Sequence, residues 1–180
     1  SVFYASKGYI AMPKMDGLTG SLRYVDGTLV SAETRGDGYI GEDVLHNVLA
    51  IKNVPGYIGY KEELIIDGEV ICKYQDFEPF ADLYKNPRNF AAGSIRLLNN
   101  QESANRNLSF VAWDVIKGFD EEKSLVAKLG LISKLGFESV FNIEVGATDP
   151  EVIIQIIKSI SKNYGYPIDG VVLKIDDYDK

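Results

Sequence analysis

The sequence predicts an α+β fold, antiparallel sheets with flanking helices, and two observations predict it. Alternating apolar stretches follow one another across short turns, and helical spacing is confined to a few separate segments. A parallel α/β sheet would instead alternate strand and helix regularly along the chain. Leu18–Val25 and Thr28–Thr34 alternate and are joined by Asp26-Gly27, a pair that favours a tight two-residue hairpin. Gly41–Ala50 and Tyr74–Tyr84 have helical spacing, the second through Phe77, Phe80, Ala81 and Tyr84. Leu64–Cys72 and Leu108–Ile116 read as buried strands. Glu121–Leu135 reads as a helix closed by Gly136, and Phe137–Val145 as a returning strand. Asp149 caps a helix with Pro150 in its first turn and Val152, Ile153, Ile156, Ile157 and Ile160 on its apolar face. Gly165 stops that helix, and Ile168–Ile175 is the last strand. No repeat, low-complexity tract or linker interrupts the series, so one domain is expected over residues 1–180.

Hydrophobic content of 46% and charged content of 25% are those of a soluble globular protein. No apolar run approaches a membrane span, and the N-terminus lacks a basic region followed by an apolar stretch, so a cytoplasmic monomer without membrane contact is expected. One cysteine, Cys72, and one histidine, His46, cannot build a structural zinc site. Cys72 reads as a small buried hydrophobe and His46 as a surface helix residue. A net charge of −7 argues against strong DNA binding by these residues alone, because phosphate affinity rests on excess lysine and arginine.

Four segments carry chemistry: Lys14-Met15-Asp16-Gly17, Thr34-Arg35-Gly36-Asp37-Gly38, Ile66-Asp67-Gly68-Glu69-Val70 and Ile168-Asp169-Gly170-Val171-Val172-Leu173-Lys174. Each sets a charged group next to glycine, which lets backbone approach a ligand, and next to apolar residues that read as strand. In this order they resemble the nucleotidyltransferase core of DNA and RNA ligases and capping enzymes. Two longer runs, Thr34–Val44 and Asn86–Arg96, are similar to signatures of bacterial NAD-dependent DNA ligases. The resemblance extends from about Tyr9 to Ile175.

The resemblance implies roles. Lys14 would be the nucleophile that takes AMP from NAD. A lysine with an ordinary pKa of about 10.4 needs roughly 4 kcal/mol to be held neutral near pH 7.4, a cost that partial burial and cations such as Lys174 and Arg35 would lower. Asp16 would orient Lys14 or a ribose hydroxyl, and Gly17 would let the chain turn under the nucleotide. Arg35 and Glu69 would contact the nucleotide, Glu69 through the ribose. The alternative for Asp67-Gly68-Glu69 is a bulge with solvated acids. Trp113 would stack on adenine, or else serve the core; Phe110, three residues away, would face the other side of the strand. Lys174 would meet the α-phosphate, and Asp169 a magnesium ion or the nucleophile. Strict alternation puts these two on opposite faces unless Gly170 introduces a bulge. Arg88 and Arg96 would serve phosphates of the nucleotide or DNA, or tie a loop to backbone carbonyls.

Two positions depart from the family pattern: Met12 stands where glutamate is usual, and Ser161, beside Lys162, where arginine is frequent. The resemblance also implies a fragment of a multidomain enzyme acting on nicked double-stranded DNA. Its upstream module would recognise the nicotinamide mononucleotide half of NAD, and its zinc would lie in a downstream four-cysteine module.

Overall fold

The computed structural model describes residues 8–36, 39–97, 102 and 105–177. Two sheets face each other. The larger has six strands in the order β4-β3-β2-β5-β6-β7: β2 (Leu18–Val25), β3 (Thr28–Gly36), β4 (Tyr39–Asp43), β5 (Leu64–Ile71), β6 (Ser109–Lys117) and β7 (Glu138–Ser139). The smaller has three, with β1 (Tyr9–Met15) between β8 (Ile143–Glu144) and β9 (Ile168–Ile175). Every pairing is antiparallel except β6 with β7. The α+β expectation therefore holds, with one short parallel edge.

β2 alternates buried and open residues as a strand with one face on the core should. Its turn into β3 has positive φ at both Asp26 and Gly27, the geometry of a primed two-residue hairpin. β1 is instead buried almost continuously. Ile10 and Met12 join the main core between the sheets, while Ala11 joins a second cluster with Val145, Ile153 and Ile157. A strand covered on both faces has no solvent side to mark with polar residues.

Among the described residues, α-helices flank the sheets: α1 (Leu45–Val48), α2 (Tyr74–Phe77), α3 (Pro87–Ile95), α4 (Leu125–Lys134) and α5 (Pro150–Tyr164). Asn86 caps α3, Ser124 caps α4 and Asp149 caps α5, each accepting from a backbone N–H of the first turn. Gly165 ends α5 in the left-handed conformation, with φ of 74°.

Four expectations are corrected. Gly41–Asp43 belong to β4, with Glu42 opposite Thr34 and Asp43 opposite Glu33, and only Leu45–Val48 are helical. Tyr74–Tyr84 is not one helix: Pro79 lacks an N–H and crowds the preceding turn, so α2 passes into a 3₁₀ turn at Glu78–Phe80. Phe137–Val145 is two short strands in different sheets, because the chain crosses from the edge of one to the other. On α5 only Ile153 and Ile157 of the expected apolar face are buried, while Val152 and Ile156 remain exposed. His46 is exposed and Cys72 buried, as expected; burial pushes the Cys72 thiol up to about 12.

Candidate active site

The cleft between the sheets gathers most of the singled-out residues. Lys14 lies near the end of β1, directly opposite Gly170 on β9. The register then shifts, Met15 pairs with Ile168, and Asp169 is left as the extra residue of a bulge. The bulge brings the Asp169 carboxylate to 4.0 Å from the Lys14 ammonium. It resolves the alternation problem in the last strand, one residue earlier than Gly170. The expected partial burial of Lys14 is not met: its side chain is 61% exposed at the cleft rim, and the charge beside it is a carboxylate.

After Lys14 the chain turns sharply. The Asp16 N–H donates to the Pro167 carbonyl at 2.8 Å, and Arg88, from α3, reaches this turn from the other side. Its Nε donates to the Gly17 carbonyl at 3.2 Å and lies 3.7 Å from Asp16. A contact of arginine with backbone carbonyl is thus part of what Arg88 does. Burial, reinforced by Asp169, pushes the Asp16 carboxyl above its ordinary value, against the pull of Arg88 and Lys14. Gly17 is required by space: a Cβ there would lie 2.2 Å from the Val70 carbonyl oxygen.

The floor of the site is formed by one face of β2, β5 and β6. Gly20 and Gly68 face each other, which places Thr19 opposite Glu69 and Ser21 opposite Asp67. Glu69 is only 9% exposed and accepts from the Thr19 hydroxyl and the Trp113 indole, each at 3.4 Å, and from the Gly17 backbone N–H. Burial outweighs these donors and pushes its carboxyl up to about 7. Asp67 is also buried, its carboxyl raised by burial although the Ser21 hydroxyl and Arg35 oppose the shift, and its Oδ1 has no hydrogen-bond partner among the described residues. The reading of solvated acids at this glycine is therefore overturned: both carboxyls are interior.

Trp113 owes its position to a bulge. Asp67 pairs with Asp114 and Gly68 with Ala112, so Trp113 stands opposite no residue. Phe110 is fully buried, while Trp113 is half-buried with its N–H on Glu69, so the two divide between core and cleft as expected. Lys174 comes across from β9, 4.6 Å from the Trp113 ring centroid and 3.8 Å from Asp114.

Contacts and electrostatic influence thus link Asp169, Lys14, Asp16, Arg88, Gly17, Glu69, Trp113, Lys174 and Asp114, with Lys14 acting on Asp16 through charge alone. Arg35 is exposed on β3 opposite Thr19, its charge felt by Asp67. Arg96 is the C-cap of α3, about 12 Å along the helix axis from Arg88. Asp37 and Gly38 lie outside the described residues. Met12 is buried beside Val172, so its side chain offers the cleft nothing. Ser161 is buried in α5, where an arginine would have no room for its charge. Sequence reasoning missed Thr19, Ser21 and Asp114. The usable signal was the Thr19-Gly20-Ser21 alternation, which mirrors Asp67-Gly68-Glu69 across an antiparallel pair.

Among the described residues no group of three or more His, Cys, Asp or Glu could hold a metal. Asp16 and Asp169 offer a two-carboxylate oxygen set beside Lys14. That suits magnesium, which keeps several waters and completes its shell with substrate phosphate oxygens.

The sequence profile of the NAD-dependent DNA ligase adenylation domain matches residues 3–180. The DNA ligase of Lachnoclostridium phytofermentans is 41% identical over 174 residues, covering 91% of this chain and 26% of that protein. The DNA ligase of Helicobacter hepaticus is 37% identical over 183 residues, covering 96% and 28%. The chain thus spans about a quarter of the length of these curated relatives. Among solved structures, the fold is similar to Pmar-Lig_Pre., with a TM-score of 0.57 at 15% identity, covering 94% of this chain and 39% of that one. It is also similar to the ligase domain from M. tuberculosis LigD, with a TM-score of 0.55 at 12% identity, covering 96% and 50%.

Proposed function

Because this chain belongs to the NAD-dependent DNA ligase adenylation domain family, we propose that it performs the covalent nucleotide step of nick sealing, with Lys14 as the nucleophile. The neutral amine of Lys14 attacks the α-phosphorus of the adenylate half of NAD. A nitrogen–phosphorus bond forms, the bond from phosphorus to the bridging oxygen breaks, nicotinamide mononucleotide leaves, and the amine proton passes to solvent. A DNA 5′-phosphate oxygen then takes AMP from Lys14, and attack by the neighbouring 3′-hydroxyl seals the nick and releases AMP.

The observation that carries this reading is the run of neighbouring groups from Asp169 and Lys14 through Glu69 to Trp113. It parallels the order in which a nucleotide presents phosphate, sugar and base. Glu69 accepts hydroxyl hydrogens of the ribose, and Trp113 carries the adenine, a stacking worth about 1–3 kcal/mol. Arg88 holds the turn after Lys14, while Arg35 and Arg96 meet phosphates of nucleotide or DNA. Asp16 and Asp169 would hold a magnesium ion, which would supply neutralisation of phosphate charge when bound. Lys174, placed over Trp113, reaches the phosphate only by leaving Asp114.

One domain spans residues 1–180 in this reading. No helix among the described residues is long and apolar enough to cross a membrane, and a cytoplasmic monomer fits a DNA substrate. The acidic balance of −7 leaves most DNA affinity to other parts of the ligase. The test is donor choice in a full-length ligase carrying this domain. AMP labelling from NAD and not from ATP is expected, and labelling from ATP alone would move the chain to the ATP-dependent class.

A further inference from the structure

Lys174 and Trp113 serve different parts of a nucleotide, yet the lysine ammonium lies over the tryptophan ring. The ammonium lies 4.6 Å from the indole centroid, close enough for a cation–π contact. A base stacked on that face would need the same position. Trp113 is partly buried and packs against the main core, and the ring face that Lys174 covers is on the side of the opposite sheet.

Asp114 keeps the ammonium there. One carboxylate oxygen accepts from the Val115 backbone N–H at 2.8 Å, which fixes the carboxylate, and the other is 3.8 Å from the Lys174 ammonium. Lys174 belongs to the smaller sheet and Asp114 to the larger, so the pair spans the cleft at its base-binding end. Asp67 faces Asp114 in register and adds negative charge beneath the same ammonium. We propose that Asp114 is a positioning residue that holds Lys174 across Trp113, so that a nucleotide base must displace the ammonium, which is then free to meet the phosphate. The proposal rests on the nucleotide reading of the cleft and adds to it a competition between an internal carboxylate and the ligand for one lysine.

The ion pair is partly exposed, and such pairs are weak, so its effect on binding is modest. Asp114→Asn keeps an oxygen for the Val115 N–H but removes the charge, and it serves as the test in the 180-residue chain. The first measurement needs no nucleotide: collisional quenching of the single tryptophan by acrylamide. Asp114→Asn and Lys174→Met should both raise the quenching constant above wild type, and Asp114→Glu should restore it. A quenching constant unchanged in Asp114→Asn would overturn the proposal. The second measurement is AMP titration followed by Trp113 fluorescence. Asp114→Asn should bind AMP about two- to fivefold more tightly, and Lys174→Met more weakly. Equal or weaker binding by Asp114→Asn would also overturn it. If the quenching pattern holds but wild type binds no AMP, the parking stands and the nucleotide reading of the cleft fails.

Discussion

The indole N–H of Trp113 donates to Glu69 Oε1 at 3.4 Å, so the proposed base platform and sugar acceptor are set against each other before any ligand enters. Burial of the Glu69 carboxyl, which outweighs this bond, makes the site sensitive to pH. Its value is raised to about 7, and the ionised form, an acceptor at both oxygens, is the stronger partner for two ribose hydroxyls. Adenosine binding should therefore strengthen as pH rises through about 7, read as a change in Trp113 fluorescence. Glu69→Gln should bind weakly and without that dependence. A wild-type affinity that is flat or falls over this range would remove Glu69 from the sugar.

The same buried carboxyl should shape stability. Its folded value of about 7 lies above its ordinary 4.5, so between these values the folded state holds a proton that the unfolded state has lost. Stability contributed in this way is present below about 4.5 and is lost as pH rises through about 7. In urea unfolding, Glu69→Gln should gain on wild type across that window, by on the order of 2–3 kcal/mol at its upper end, with little difference below it. A gain that instead appeared on acidification would contradict the burial argument.

Two glycines should respond in opposite directions. A Cβ at Gly68 would lie 2.5 Å from both the Phe110 ring and the Val111 carbonyl, so Gly68→Ala should cost about 1–3 kcal/mol through overpacking. Gly130, in α4, has nothing within 4 Å of its would-be Cβ, and Gly130→Ala should stabilise by about 0.5–1 kcal/mol. Thermal melts of both variants check this. Comparable losses in the two would mean that the space over Gly68 is not what makes glycine necessary there.

The hairpin at Asp26-Gly27 and the capped helix from Asp149 to Gly165 were legible in the sequence, because their determinants are local. The two-residue strands at Glu138 and Ile143 were not, since each is defined only by its partner strand. Nor were the bulges at Trp113 and Asp169, which depend on cross-strand register and decide where both side chains point. The candidate site residues came from the resemblance of the four motifs to a known family. Their environment did not: the burial of Asp67 and Glu69, the exposure of Lys14 and the parking of Lys174 on Asp114 are products of two sheets closing on each other.

The central claim is that Lys14 carries AMP, and covalent mass tests it most directly. A full-length ligase bearing this domain should gain the mass of one AMP when incubated with NAD and magnesium, and peptide mapping should locate it on Lys14. Lys14→Ala should gain none while melting at the wild-type temperature, as substitution of an exposed lysine allows. AMP retained by Lys14→Ala, or mapped to another residue in wild type, would contradict the assignment.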